Sequence, residues 1–185
     1  FIEKKQLKEN YIVDVKNDLE ILIGIQDDWK FLNEKEFKDP KTEAIKKFIK
    51  NELKNDPKRK IIIFTEFSDT ANYLHTKLRK FFKKINIYTS KESSSTKKKK
   101  EIKDNFDAGV NPKNQKKDHD ILIATDTISE GFNLHRAGTI VNYDIPYNPT
   151  RVVQRFGRIN RMNKKMFDKL YIYNFFPTQI GETEV

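Results

Sequence analysis

Residues 61–82, IIIFTEFSDTANYLHTKLRKFF, carry the reading that decides the fold class. Ile61 to Phe64 form a short apolar run, rich in β-branched and aromatic side chains, that reads as a strand buried on both faces. From Ser68 to Phe82 the period becomes helical, with Ala71, Leu74, Leu78 and Phe82 on one face. The same alternation recurs downstream. Ile121 to Ala124, Thr139 to Tyr143 and Leu170 to Phe175 also read as strands buried on both faces, and Ile85 to Tyr88 is a shorter fifth candidate. Strands alternating with helices predict an α/β fold with a doubly wound, mainly parallel sheet flanked by helices.

The first 56 residues have a different pattern. Val15 to Leu32 is helical, with Leu19, Leu22, Ile23 and Trp29 available to pack, and Lys41 to Leu53 repeats Ala44, Ile45, Phe48, Ile49 and Leu53 at helical spacing. Asp39-Pro40 separates the two, because proline disfavours a helical residue before it. Residues 1–56 are therefore expected to form a helical brace or linker, and residues 57–185 the α/β domain. Lys97 to Lys100 precede Ile102 and Phe106 at helical spacing, so these lysines are read as the solvated face of an amphipathic helix rather than a phosphate patch. Residues 111–118 are expected to form an exposed, mobile loop.

Composition excludes several classes. With 36% hydrophobic and 35% charged residues the chain can bury a core beneath a densely charged surface, which argues against overall disorder. The chain has no cysteine, and His75, His119 and His135 lack zinc-ligand spacing, so no structural metal is expected. No run is long and apolar enough to cross a bilayer, and the start lacks the order of a signal peptide, so a cytoplasmic location without membrane contact is expected. The net charge of +10 points to a polyanionic partner, with a merely solvated lysine surface as the equal alternative. Because residue 1 is Phe, the chain is expected to be part of a longer protein.

The segment richest in chemistry is Asn148 to Met162, NPTRVVQRFGRINRM. Asn148 can cap a helix that Pro149 begins. At about 100° per residue, Gln154, Arg158 and Arg161 share one narrow face with Arg151 and Arg155 beside it, while Val152, Phe156 and Ile159 lie roughly opposite. Guanidinium forks match phosphate oxygens and stay charged when partly desolvated, so such a row suits phosphate, although a helix with several arginines is often only a solvated face. Gly157, about 1 kcal/mol worse than Ala within a helix, suggests a close approach to the backbone there.

Gln154-Arg-Phe-Gly-Arg-Ile-Asn-Arg161 resembles motif VI of superfamily 2 helicases. Ala124-Thr-Asp-Thr-Ile-Ser-Glu-Gly-Phe-Asn-Leu134 resembles motif V, and Ile61 to Asp69 motif IV, in the order found in the second, C-terminal RecA-like lobe. The run from Arg136 to Thr150 is similar to bacterial Swi/Snf-type proteins, and the resemblance covers about residues 60–175. It implies a C-terminal RecA-like lobe of an ATP-dependent translocase or helicase, preceded by a helical extension.

The resemblance further implies site residues and partners. Arg158 and Arg161 would be arginine fingers reaching ATP, with Mg2+, held mainly by an N-terminal RecA-like lobe. Glu130, Gly131 and Gln154 would line the nucleotide side. Thr65 and Thr125 are candidate contacts to nucleic-acid phosphate, or else hydroxyls that satisfy loop amides. Asn142 and Asp144 are assigned to loop structure, and His75 and His135 to ordinary surface or interface positions. Double-stranded DNA is the expected partner, with an RNA helicase lobe, or a basic binding module without ATPase coupling, as the alternatives. Met162-Asn163 stands where the Swi/Snf pattern continues Gly-Gln, and the six glycines supply no G-x-x-x-x-G-K-[ST] phosphate loop. The 185 residues alone are therefore expected not to hydrolyse ATP.

Overall fold

The computed structural model describes residues 10–30, 38–129, 131–160 and 166–176. The chain divides into two compact units, residues 1–43 and 44–185. In the first, α1 (Tyr11–Asp28) begins four residues before the expected helix. It buries none of its residues, and Leu19, Leu22, Ile23 and Trp29, expected to pack, are all exposed. The second helix, α2 (Pro40–Asn55), spans the division. Asp39 caps its start, accepting from the Lys41 amide at 2.9 Å and the Thr42 hydroxyl at 2.5 Å. Although the sequence pattern grouped this helix with the brace, its Ile45 and Ile49 belong to the core of the α/β unit.

Five parallel strands, β1 (Lys60–Phe64), β2 (Ile85–Tyr88), β3 (Ile121–Ala124), β4 (Ala137–Asn142) and β5 (Tyr171–Asn174), lie in the order β2-β3-β1-β4-β5. Side chains alternate across a strand, so each central strand supplies two cores. Ile61, Ile63, Ile121, Ile123 and Val141 pack with Ile45 and Ile49 of α2 and with Ala71, Leu74 and Leu78 of α3 (Ser68–Leu78). On the other face, Ile62, Phe64, Leu122, Ala124 and Ile140 pack with Ile102 and Phe106 of α4 (Thr96–Phe106) and Ile159 of α5 (Pro149–Ile159). Helices thus cover both faces, which is why the central strands read as unbroken apolar runs.

Three local expectations are corrected. The run at 170–175 is not buried on both faces: β5 is the edge strand, with Tyr171 and Ile172 each 40% exposed. Aromatic contacts on its inner side hold it, Tyr173 against Phe48 at 4.6 Å and Phe175 against Tyr143 at 5.9 Å. The loop at 111–118, expected to be exposed and mobile, is largely exposed but is hydrogen-bonded to the rest of the unit. Lys116 N donates to Asp104 O at 2.8 Å, Asp118 N to Asn105 Oδ1 at 2.9 Å, and Arg136 Nη2 to Lys116 O at 3.0 Å. His135 is not a surface residue but lies 2% exposed.

The lysine run opens α4 as expected, with Ser95 capping it through the Lys98 amide at 3.2 Å. Lys98 reaches Glu101 at 3.4 Å, and Lys100 reaches Asp104 at 2.8 Å. Among the described residues no helix is long and apolar enough to cross a membrane.

Candidate functional site

The helix α5 forms where the sequence signals place it. Asn148 Oδ1 accepts from Thr150 N at 2.9 Å, and Pro149 occupies the first turn, where its missing N–H costs nothing. Ile159 is buried at the far end, with Phe156 packed partly against the same core.

The arginines of this helix divide into three environments. Arg155, placed beside the phosphate-facing row by the helical wheel, is instead fully buried. It sits only about 40° from Ile159 around the helix, so its stem follows the core side. Its guanidinium forks onto Asp126, Nε to Oδ1 at 2.6 Å and Nη2 to Oδ2 at 3.0 Å. Nη1 donates to Asn142 Oδ1 at 2.8 Å and Asp144 O at 3.3 Å, and the group lies 4.9 Å from the centre of the Phe64 ring. Arg151 is exposed and paired, 3.1 Å from Glu66 and 3.7 Å from Asp126. Arg158 is half-buried, and among the described residues no side-chain hydrogen bond or ion pair engages its guanidinium.

Gln154, one turn before Arg158, is exposed. Gly157 between them is exposed too, and a Cβ there would meet nothing within 4 Å, so no close approach to its backbone occurs within the described residues. The Arg158 carbonyl accepts from Leu134 N at 2.9 Å, which joins the end of α5 to the segment containing Gly131. Gly131 has φ +83°, a conformation that strains any residue with a Cβ. Arg161 and Glu130 lie outside the described residues.

Asp126, Asn142, Asp144 and Thr65 meet at the carboxyl ends of β3, β4 and β1, where open α/β sheets present their loops. Thr65 is fully buried: its amide donates to Ala124 O at 3.0 Å and its hydroxyl to Asp144 Oδ2. Thr125, 4% exposed, donates its hydroxyl to Thr127 Oγ1 at 3.1 Å. In this conformation both hydroxyls bond neighbouring side chains, a carboxylate and a hydroxyl, and neither satisfies a loop amide. Asp144 lies in the loop after β4, whereas Asn142, assigned to loop structure from the sequence, is the last residue of β4, its Nδ2 donating to Asn174 Oδ1 of β5 at 2.8 Å. The sequence signal for this network was an acidic residue, Asp126, two positions after the end of a strand. The wheel alone did not favour its pairing with Arg155. His75 is half-buried on α3, its pKa lowered by desolvation with Arg79 and Lys98 nearby.

Residues 40–163 match the family model for the helicase conserved C-terminal domain. An uncharacterized ATP-dependent helicase of Bacillus subtilis, YqhH, is 35% identical over 115 residues, which cover 62% of this chain and 18% of the relative. The chain therefore spans less than a fifth of that relative's length. Among solved structures, the C-terminal part of the Fun30 ATPase domain superposes with a TM-score of 0.63 at 22% identity, covering 77% of this chain and 42% of that one. Domain 2 of the DEAD-box helicase Mss116p, bound to an RNA duplex, gives 0.56 at 20% identity, covering 73% and 49%. The parallel sheet flanked by helices is the RecA-like fold of these C-terminal domains.

Proposed function

The chain belongs to the helicase conserved C-terminal domain family, and on that premise we propose that it is the C-terminal motor lobe of an ATP-dependent translocase acting on double-stranded DNA, of the Swi/Snf type, with Arg158 as an arginine finger. The observation that carries this reading is the contrast along α5. Arg151 and Arg155 are paired within the lobe, whereas Arg158 has no internal partner among the described residues and stands one turn from an exposed glutamine. An arginine retained half-desolvated without a carboxylate suits an anion supplied from outside. Arg161, in the same motif, is proposed as the second finger.

The chemistry asked of this lobe is electrostatic. ATP, with Mg2+, would be held mainly by an N-terminal RecA-like lobe, and the hydrolysed phosphoryl group gathers charge that a fixed guanidinium stabilises where water is excluded. Arg155 keeps the helix in place by tying it to the loops after β3 and β4, so Arg158 is presented from a fixed backbone. Gln154 and Gly131, with Glu130, would line the nucleotide side. Thr65 and Thr125 would contact nucleic-acid phosphate only after releasing their loop bonds. The preference for duplex DNA rests on the Arg136 to Thr150 resemblance. The RNA duplex bound to the Mss116p domain keeps an RNA substrate as the alternative.

Two measurements test this reading. The 185-residue chain alone should show no nucleic-acid-stimulated ATP hydrolysis, because no phosphate-loop signature is present in it. With an N-terminal lobe supplied, Arg158→Ala should cut steady-state turnover by about 10³-fold or more, and Arg158→Lys should restore little. Near-normal turnover in Arg158→Ala would remove that residue from the finger role.

A further inference from the structure

The residues that open four neighbouring parallel strands converge at the amino edge of the sheet, the edge opposite the Arg155 network. In sheet order they are Lys84 before β2, Asp120 before β3, Lys60 opening β1 and Arg136 before β4. With Lys58 and Lys117 they line a cavity of about 400 Å³. Five cations thus face one carboxylate, Asp120, which lies 3.7 Å from Lys84.

Two of these cations are interior. Lys60 and Arg136 are each 6% exposed, and among the described residues neither has a carboxylate partner within ion-pair distance. Arg136 is fixed by carbonyls, Nη1 to Asp104 O at 2.9 Å and Nη2 to Lys116 O at 3.0 Å. Lys60 Nζ donates to His119 O and lies 4.8 Å from the centre of the Phe106 ring. Buried cations are ordinarily paired, because desolvating a charge without compensation is costly. Here carbonyl oxygens and the Phe106 ring meet part of that cost, and no carboxylate among the described residues within ion-pair distance neutralises either charge.

We infer that this cavity binds a small phosphate-class oxyanion, with Lys60 and Arg136 supplying the fixed charges and Lys58, Lys84 and Lys117 the solvent-facing rim. A partly enclosed recess of this size suits a phosphate or pyrophosphate group. The rigid backbone of a duplex presents its phosphates along a ridge and needs an open groove. The state of Lys60 agrees with the assignment. Burial, with Arg136 and Lys84 alongside, lowers its pKa to about 8 against the opposing pull of Asp120 and Asp118. A seated anion favours the ammonium form and removes part of that penalty.

The test is calorimetric titration of the protein with sodium pyrophosphate in metal-free buffer at pH 7. One saturable site is expected. Lys60→Met should weaken binding about tenfold or more, the worth of one charge-assisted hydrogen bond. The double variant Lys84→Gln/Lys117→Gln changes only exposed positions, so it leaves the core untouched, and should also weaken binding severalfold. Sulfate, whose charge is constant over the range, should bind less tightly as the pH rises through about 8 in the parent, where Lys60 loses its proton, and without that step in Lys60→Met. Absence of saturable binding at millimolar pyrophosphate, or equal affinity in parent and both variants, would overturn the assignment. So would displacement of pyrophosphate by a short DNA duplex at equal phosphate concentration, which would give the cavity to a nucleic-acid backbone.

Discussion

Replacing Arg155 with alanine should unfold the lobe more readily without touching the nucleotide face, the reverse of what the same change does three residues later. The side chain is fully buried and makes two bonds to Asp126, one to Asn142 and one to the Asp144 carbonyl. Removing one partner of a buried ion pair costs about 3–5 kcal/mol. Asp126, 25% exposed, recovers part of its hydration from water. Asn142 is fully buried, and its amide oxygen would be left without its cation, a loss of about 1–3 kcal/mol. The balance is a destabilisation of about 3 kcal/mol, which in a domain of this size lowers Tm by about 6–12 °C. Lysine, a single point charge without the fork, should recover less than half of that. Urea unfolding followed by circular dichroism measures it, and an Arg155→Ala/Asp126→Ala cycle isolates the pair. A loss below about 1 kcal/mol would refute the reasoning, because it would mean the guanidinium network is a bystander to the packing of α5.

Arg158→Ala, in the same unfolding assay, should stay within about 0.5 kcal/mol of the parent, since it removes a half-exposed side chain with no internal bond; its effect belongs in turnover. Gly138→Ala should cost about 1–3 kcal/mol. The new Cβ would lie 2.9 Å from the Phe167 ring and 2.6 Å from Arg59 Nη1, itself bonded to Gly138 O and Lys169 O, so the neighbours cannot easily give way. This is detectable as a lower urea midpoint at unchanged slope. The Lys60 pKa is lowered from 10.5 to about 8 in the folded chain. Between those values the unfolded state binds the extra proton, so this residue's contribution to stability rises with pH across the window. The stability advantage of Lys60→Met over the parent in anion-free buffer should therefore be greatest near pH 7 and shrink toward pH 10.5; an advantage constant with pH would contradict the shift.

The sequence by itself determined the sheet and the helices that cover it. Runs such as Ile61 to Phe64 and Ile121 to Ala124 have no polar face, and only a strand covered on both sides tolerates that. Asn148-Pro149 specified the start of α5 for an equally local reason, a cap and a residue with no N–H to lose. Local periodicity also placed Gln154 and Arg158 on one outward stripe, and the order of three motifs pointed to the helicase family. What it did not determine was the partner of each charge. Arg155 sits at the margin between the apolar and polar sectors of its helix, and its burial was decided by Asn142 at the end of the preceding strand and by Asp126, 29 residues back in the chain, in the turn that follows β3. The strand order did the rest. It made β5 an edge, so a run that looks central is half-exposed, and it brought Lys84, Lys60 and Arg136 together from three strand entrances separated by 24 and 52 residues along the chain from Lys60 to Lys84 and from Lys84 to Arg136. Periodicity along one segment carries no information about such meetings, because they depend on which strands pair, and pairing is settled only when the whole sheet closes its core.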